Sequence, residues 1–192
     1  MKNLKLFLDV EDKKSKLVSS PFNYTGGKYK LLEQLQKLFT EEDIFLDIFA
    51  GGANVGINSK SPKIIFNDVN AKIISLIEYI KNIDIEELLK KIDDIIVKYG
   101  LSNTMLYGYK YYSCNSSEGL ANYNKEAFLK LRKDYNKKLN DGMEDYNLLY
   151  VLIVFSFNNQ VRFNSKGEFN LPVGKRDFNS KMRNKLILFK RF

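Results

Sequence analysis

Apolar residues in this chain fall into short runs separated by stretches rich in glycine, asparagine and charge, and the spacing within each run predicts the elements. Residues 29–39 set Leu31, Leu32, Leu35 and Leu38 on one face of a helix. Ile44-Phe45-Leu46-Asp47-Ile48-Phe49 is an apolar run broken by one acid, the pattern of a strand buried in a parallel sheet. Lys63-Ile64-Ile65-Phe66-Asn67-Asp68 is a second such strand, and it too ends in an acid. Between them lies Ala50-Gly51-Gly52-Ala53-Asn54-Val55-Gly56, a glycine loop where a strand meets a helix. Residues 70–80 have helical spacing, with Asn67 to Asn70 as candidate caps. Strand, glycine loop, helix, strand ending in an acid, helix: this order opens a doubly wound α/β domain.

Beyond about residue 82 the pattern becomes helical. Residues 85–98 predict an amphipathic helix closed by Gly100. Residues 101–121 are polar, rich in tyrosine and without clear period. Residues 123–139 predict a helix with Phe128, Leu131 and Tyr135 on one face. Residues 147–157 are apolar nearly all round, which predicts a buried helix, although periodicity alone also admits a strand. A long loop rich in Asn, Gly and basic groups over 158–178 leads into a short basic helix at about 179–190. Residues 1–20 are polar and aperiodic and predict an N-terminal arm.

Length and composition narrow the classes. A chain of 192 residues is the size of one domain, or one with an insertion. With 44% hydrophobic and 14% aromatic residues it can build a core. The net charge of +8 is concentrated: residues 161–192 hold nine basic and two acidic groups, so the first 160 residues are close to neutral. Histidine is absent, which excludes Ser-His-Asp and Cys-His catalysis and a His-ligated zinc, and no metal site is expected. The single Cys114 excludes a disulfide framework. It follows Ser113, unlike the Pro-Cys nucleophile of cytosine-C5 methyltransferases, and is expected to be inert. Neither a signal peptide nor a membrane span is visible, so a cytoplasmic protein of bacterial or phage type is the expectation.

The glycine loop lets backbone approach a ligand without a Cβ clash, a following helix N-terminus would favour negative charge, and Asp68 could accept from ribose hydroxyls. Alone this is close to a dinucleotide fingerprint with Ala53 in the middle place, so a nicotinamide or flavin cofactor is a rival, as is a plain βα turn. The upstream segment separates these. Asn23-Tyr24-Thr25-Gly26-Gly27-Lys28, then Asp47-Ile48-Phe49-Ala50-Gly51-Gly52, then Asn67-Asp68, resembles the amino-terminal half of the Dam-like (D12 class) N6-adenine DNA methyltransferases. The resemblance implies an S-adenosylmethionine pocket. In it Tyr24 packs on the cofactor beside Gly26 and Gly27, Lys28 reaches its amino-acid end, Asp47, Phe49, Gly51 and Gly52 form the floor, and Asp68 takes the ribose hydroxyls. Ala53 departs from the family's Phe-x-Gly-x-Gly.

A second block, from Phe157 to Gly174, is similar to the family's Asn-x-x-x-Arg-x-Asn-x-x-Gly-x-Phe-Asn-x-Pro-x-Gly stretch, which implies contact with double-stranded DNA. The chemistry agrees: Arg162, Lys166, Lys175 and Arg176 suit phosphates, and the amides of Asn158, Asn159, Gln160 and Asn164 suit base edges. Phe163 and Phe169 could wedge or stack, and so could Tyr107, Tyr109, Tyr111 and Tyr112, for which a half-buried packing surface is the better expectation. Glu86-Glu87 and Asp93-Asp94 read as a solvated helix face.

The implied fold is α/β: a partial Rossmann-like S-adenosylmethionine-dependent methyltransferase domain with a mainly helical target-recognition insertion. The expected division is an arm at 1–20, the cofactor part at 21–81, the helical recognition region at 82–156, and the DNA-facing loop and terminal helix at 157–192. The family's Asp/Asn/Ser-Pro-Pro-aromatic motif, which holds the adenine amine and stacks on the extruded base, is missing, because Pro21, Pro62 and Pro172 are isolated. No catalytic residue is therefore assigned. The chain is expected to be truncated before that motif, inactive alone, dependent on a catalytic half that a second polypeptide could carry, and to leave its first strand as an exposed apolar edge. A non-catalytic DNA-binding module and, more remotely, a nicotinamide-dependent oxidoreductase are the alternatives.

Overall fold

In the computed structural model the described residues are 17–40 and 42–192, so most of the expected N-terminal arm lies outside them. Seven α-helices and two strands are present among these residues: α1 (Leu32–Leu35), β1 (Ile44–Asp47), β2 (Lys63–Phe66), α2 (Ala71–Asn82), α3 (Ile85–Tyr99), α4 (Thr104–Tyr111), α5 (Ala121–Asn140), α6 (Tyr146–Phe155) and α7 (Ser180–Phe189).

The centre of the molecule is α6, whose side chains from Leu148 to Phe155 are all buried. Its all-round apolarity is satisfied because α2, α3 and α5 pack about it. Asp145 accepts from the Leu148 amide and starts the helix. α3 carries its own signals: Asp84 accepts from the amides of Glu86 and Glu87, and Gly100 closes the helix at φ +72°. α5 buries Phe128, Leu131 and Tyr135 at the spacing the sequence gives them. α4 is interrupted at Gly108 (φ +70°, ψ 169°).

β1 and β2 pair in parallel, Ile44 opposite Lys63 through Asp47 opposite Phe66. Neither strand is buried on both faces, contrary to the expectation from their apolar runs. Side chains alternate across a sheet, and only the face carrying Asp47, with its half-buried companions Phe45, Ile64 and Phe66, is turned inward. Ile44, Leu46 and Ile65 lie on the other face and are exposed, with Leu46 at 53%. Two further expectations fail for local reasons. No α-helix follows the glycine loop: a single 3-10 turn, Gly56–Asn58, precedes the return to β2, so the helix N-terminus expected there is absent. Residues 29–39 also do not form one helix. They break into 3-10 turn, α1 and 3-10 turn, and of the expected apolar face only Leu32 is buried while Leu38 is exposed.

The loop after α6 is held by isolated antiparallel bridges, Ser156 with Val173 and Phe163 with Phe169. At Gly174 a Cβ would stand 2.2 Å from the Ser156 carbonyl oxygen, so only glycine closes this end of the loop.

Candidate functional site

Parallel pairing brings Asp47 and the residues after Phe66 to the same end of the sheet, and the glycine loop crosses that end. Asp68 is the hub. One carboxylate oxygen accepts from the Gly51 amide at 2.8 Å; the other accepts from the Asn70 amide at 2.9 Å and from the Tyr24 hydroxyl at 3.4 Å. The Tyr24 ring packs against Gly51. There φ is +50° and a Cβ would stand 2.8 Å from ring carbon Cδ1, so the position requires glycine twice over. Burial, and then the Asp68 charge, push the Tyr24 hydroxyl above its ordinary pKa, which keeps it a donor.

Asp47 serves the loop from beneath. It is buried and accepts from the Gly56 amide at 2.9 Å. Burial raises its pKa; the Gly56 bond opposes this and the nearby Asp68 adds to it. Gly27 donates to the Tyr24 carbonyl and closes the turn in which Gly26 has φ +78°. Lys28 is exposed and folds back to the Gly26 carbonyl at 2.5 Å. Phe49, expected in the floor, is 89% exposed. Gly52 is buried against Ser20, and Ala53 is buried at φ +64°, a left-handed conformation that favours glycine.

Residues not singled out from the sequence tie this end together. Asn54 accepts from the Ser20 amide, and Asn58 both accepts from Val18 and donates to it. The visible signal was asparagine within the glycine loop, but its partners lie 34 and 40 residues upstream.

The downstream block meets the upstream one directly. Asn23 forms a parallel bridge with Gln160; its amide donates to the Asn159 carbonyl at 3.2 Å and its side chain to the Asn158 carbonyl at 2.6 Å. Asn158 and Asn159 both adopt positive φ, 55° and 53°. The Asn159 side chain donates to the Val154 carbonyl at the end of α6. Asn164 is engaged within its own turn: its carbonyl accepts from Lys166 and Glu168 amides and its NH2 donates to the Glu168 carboxylate. That bond, with one from Asn140, holds the Glu168 carboxyl below its usual range. Arg162 donates twice to Asn170. Of the four amides expected to face bases, two are thus structural, while among the described residues no internal bond engages the Asn158 or Gln160 side chain. Lys166 and Lys175 are exposed, and Arg176 donates to the Tyr109 hydroxyl and the Ser116 carbonyl.

A polar stripe on α5 fixes this block to the helical region. Arg132 donates to the Leu171 carbonyl at 2.9 Å, Asn136 both accepts from the Phe169 amide and donates to its carbonyl, and Asn140 donates to Glu168. The spacing of 132, 136 and 140 puts them on one helix face. No helix among the described residues is long and apolar enough to cross a membrane.

The family model of D12 class N6 adenine-specific DNA methyltransferases matches residues 24–191. Modification methylase StsI of Streptococcus sanguinis is 42% identical over 177 residues, which is 91% of this chain and 23% of that protein. Type II methyltransferase M.FokI of Planomicrobium okeanokoites is 37% identical over 180 residues, 92% of this chain and 24% of that one. DNA adenine methylase of Escherichia coli (strain K12) is 24% identical over 152 residues, 79% and 46% respectively. The chain thus spans about a quarter of the two modification methylases it resembles.

Proposed function

Because the chain belongs to the D12 class N6 adenine-specific DNA methyltransferases, we propose that it forms the cofactor-binding and DNA-binding portion of an S-adenosylmethionine-dependent enzyme that methylates adenine N6 in duplex DNA. The nicotinamide alternative is set aside by the same family match. The observation that carries the cofactor reading is the junction of Tyr24, Gly51 and Asp68. A carboxylate stands beside a loop whose backbone has no room for a Cβ and under an aromatic ring, and these groups fit a nucleoside with an attached amino acid.

In this reading Asp68 keeps the Gly51 and Asn70 amides and accepts from the ribose hydroxyls in place of the long Tyr24 bond. Tyr24 and Phe49 give the pocket its apolar surface, Asp47 holds the loop through Gly56, and Lys28 turns from Gly26 toward the carboxylate of the cofactor. When bound, S-adenosylmethionine supplies an electrophilic methyl group. The Rossmann-like part comprises 21–81, the helical recognition region 82–156, and the DNA-facing part 157–192, where Arg162, Lys166, Lys175 and Arg176 neutralise phosphates and Asn158 and Gln160 face base edges. The acid or amide and the aromatic ring that act on N6 are not among these 192 residues, since no two prolines adjoin, so the chain alone binds without transferring methyl. Those groups come from elsewhere on the same polypeptide or from a second one.

Calorimetric titration of S-adenosylmethionine into the chain tests this. Saturable binding is expected, weakened more than about tenfold in Asp68→Ala, the loss of hydrogen bonds to a charged group. No binding by the folded wild-type chain would overturn the cofactor reading. Duplex binding without it would leave the DNA-binding module. Methyl transfer at full rate by the pure chain would sink the claim that transfer needs other residues.

A further inference from the structure

The tyrosine-rich stretch at α4 meets the expected half-buried packing surface only in part: Tyr109 is half-buried and Tyr112 buried, while Tyr107 and Tyr111 are exposed. Tyr112 is buried, and its hydroxyl accepts from the Asn103 amide at 2.7 Å. It is the anchor: its ring lies edge-on to Tyr111 at 5.0 Å and to Tyr123 at 4.5 Å. Tyr107 and Tyr111 stand outside it, 56% and 66% exposed, with rings stacked 4.7 Å apart at 25°. The break at Gly108 lies between them, so the stack is set by tertiary support and is not the product of a continuous helix.

The same surface is joined to the end of the basic block. Arg176 donates to the Tyr109 hydroxyl and to the Ser116 carbonyl, and the Lys175 carbonyl accepts from the Leu120 amide. The exposed Lys110 sits in sequence between the stacked rings. A stacked pair of largely exposed rings, on a segment that Tyr109 and Ser116 tie to Arg176, brings near one another the two contacts that nucleic acids offer, π-systems of bases and charged phosphates.

We propose that Tyr107 and Tyr111 form a base-stacking surface that engages an unstacked step of duplex DNA while Lys110, Lys175 and Arg176 hold the flanking phosphates. This rests on the DNA-binding reading given above. Aromatic wedges act at steps that open easily, so the surface favours a duplex in which a base is already unpaired.

The test is binding of the 192-residue chain to two labelled duplexes of one sequence, one fully paired and one with a single bulged base, followed by fluorescence anisotropy over a salt series. The wild type binds the bulged duplex about tenfold more tightly, the scale of one stacked base. In Tyr107→Ala and Tyr111→Ala that ratio falls toward one while the slope of affinity against salt stays the same. Tyr107→Phe and Tyr111→Phe keep the ratio, which separates stacking from a loss of fold. Lys175→Gln and Arg176→Gln weaken both duplexes alike and lower the salt slope by about one each. A wild-type ratio near one, or an unchanged ratio in the alanine variants, overturns the stacking surface and leaves DNA binding standing. Failure to bind either duplex at low salt overturns DNA binding itself, and the surface with it.

Discussion

Replacing Asn136 with alanine removes one side chain and two bonds. Its amide accepts from the Phe169 N–H at 2.9 Å and donates to the Phe169 carbonyl at 3.1 Å. Each bond has a net worth of about 0.5–1.5 kcal/mol, so the pair contributes roughly 1–3 kcal/mol. Phe169 is only 1% exposed, so water reaches its freed backbone groups poorly, which moves the expected loss to about 2–4 kcal/mol. In a chain of this size that lowers Tm by roughly 4–16 °C. Asn140→Ala is the control. Its single bond goes to a Glu168 carboxylate that Asn164 also holds, and its loss is within about 0.5 kcal/mol. Urea unfolding followed by circular dichroism reads both variants, with the midpoint moving and the slope unchanged. If Asn136→Ala unfolds within about 0.5 kcal/mol of the wild type, or no earlier than Asn140→Ala, then the Asn136–Phe169 bonds do not hold the 157–174 loop to α5.

Other outcomes follow from single features. Among the described residues the buried Tyr150 hydroxyl has no hydrogen-bond partner, so Tyr150→Phe is expected to stabilise the chain by about 1 kcal/mol in the same urea assay; a loss of that size would show that the hydroxyl is bonded. Burial and its bond to Asp134 raise Tyr99 to about 12. A folded value above the unfolded one stabilises fully below about pH 10 and is lost as pH rises toward about 12, so the urea midpoint falls over that window, less steeply in Tyr99→Phe; equal slopes for the two proteins would contradict it. The outer sheet face is apolar and open, so the isolated chain is expected to self-associate with concentration, and Leu46→Lys with Ile65→Thr to suppress this at a stability within about 0.5 kcal/mol of wild type; sedimentation of the wild type as a monomer at all concentrations would refute it.

Much of this molecule is legible in one dimension. Asp84 and Gly100 bracket α3, Phe128, Leu131 and Tyr135 share a face of α5, and the all-round apolar run 147–157 overlaps all but the first residue of the central helix. These are consequences of local geometry and period. The two signature blocks were equally visible, because glycines and charged groups in fixed order need no partner to be recognised.

Tertiary structure decided what the side chains do. Asn159 and Asn164 have the chemistry of base readers, yet their amides are consumed by Val154 and by the 164–168 turn, because a loop without ladder bonds must satisfy its own backbone. The alternation of β1 and β2 across a sheet, open on one side, exposes Leu46 and Ile65 although their run reads as buried. The sequence alone determined the family, the long helices α2, α3, α5 and α6 and the concentration of positive charge toward one end, but neither α4 nor the broken turn at 29–38. Only the fold decided that Asn23 meets Gln160, that Tyr24 covers Gly51 beneath Asp68's reach, and that α5 grips the basic hairpin. Those contacts join residues up to 137 positions apart, and no periodicity encodes the partner of a residue so distant along the chain.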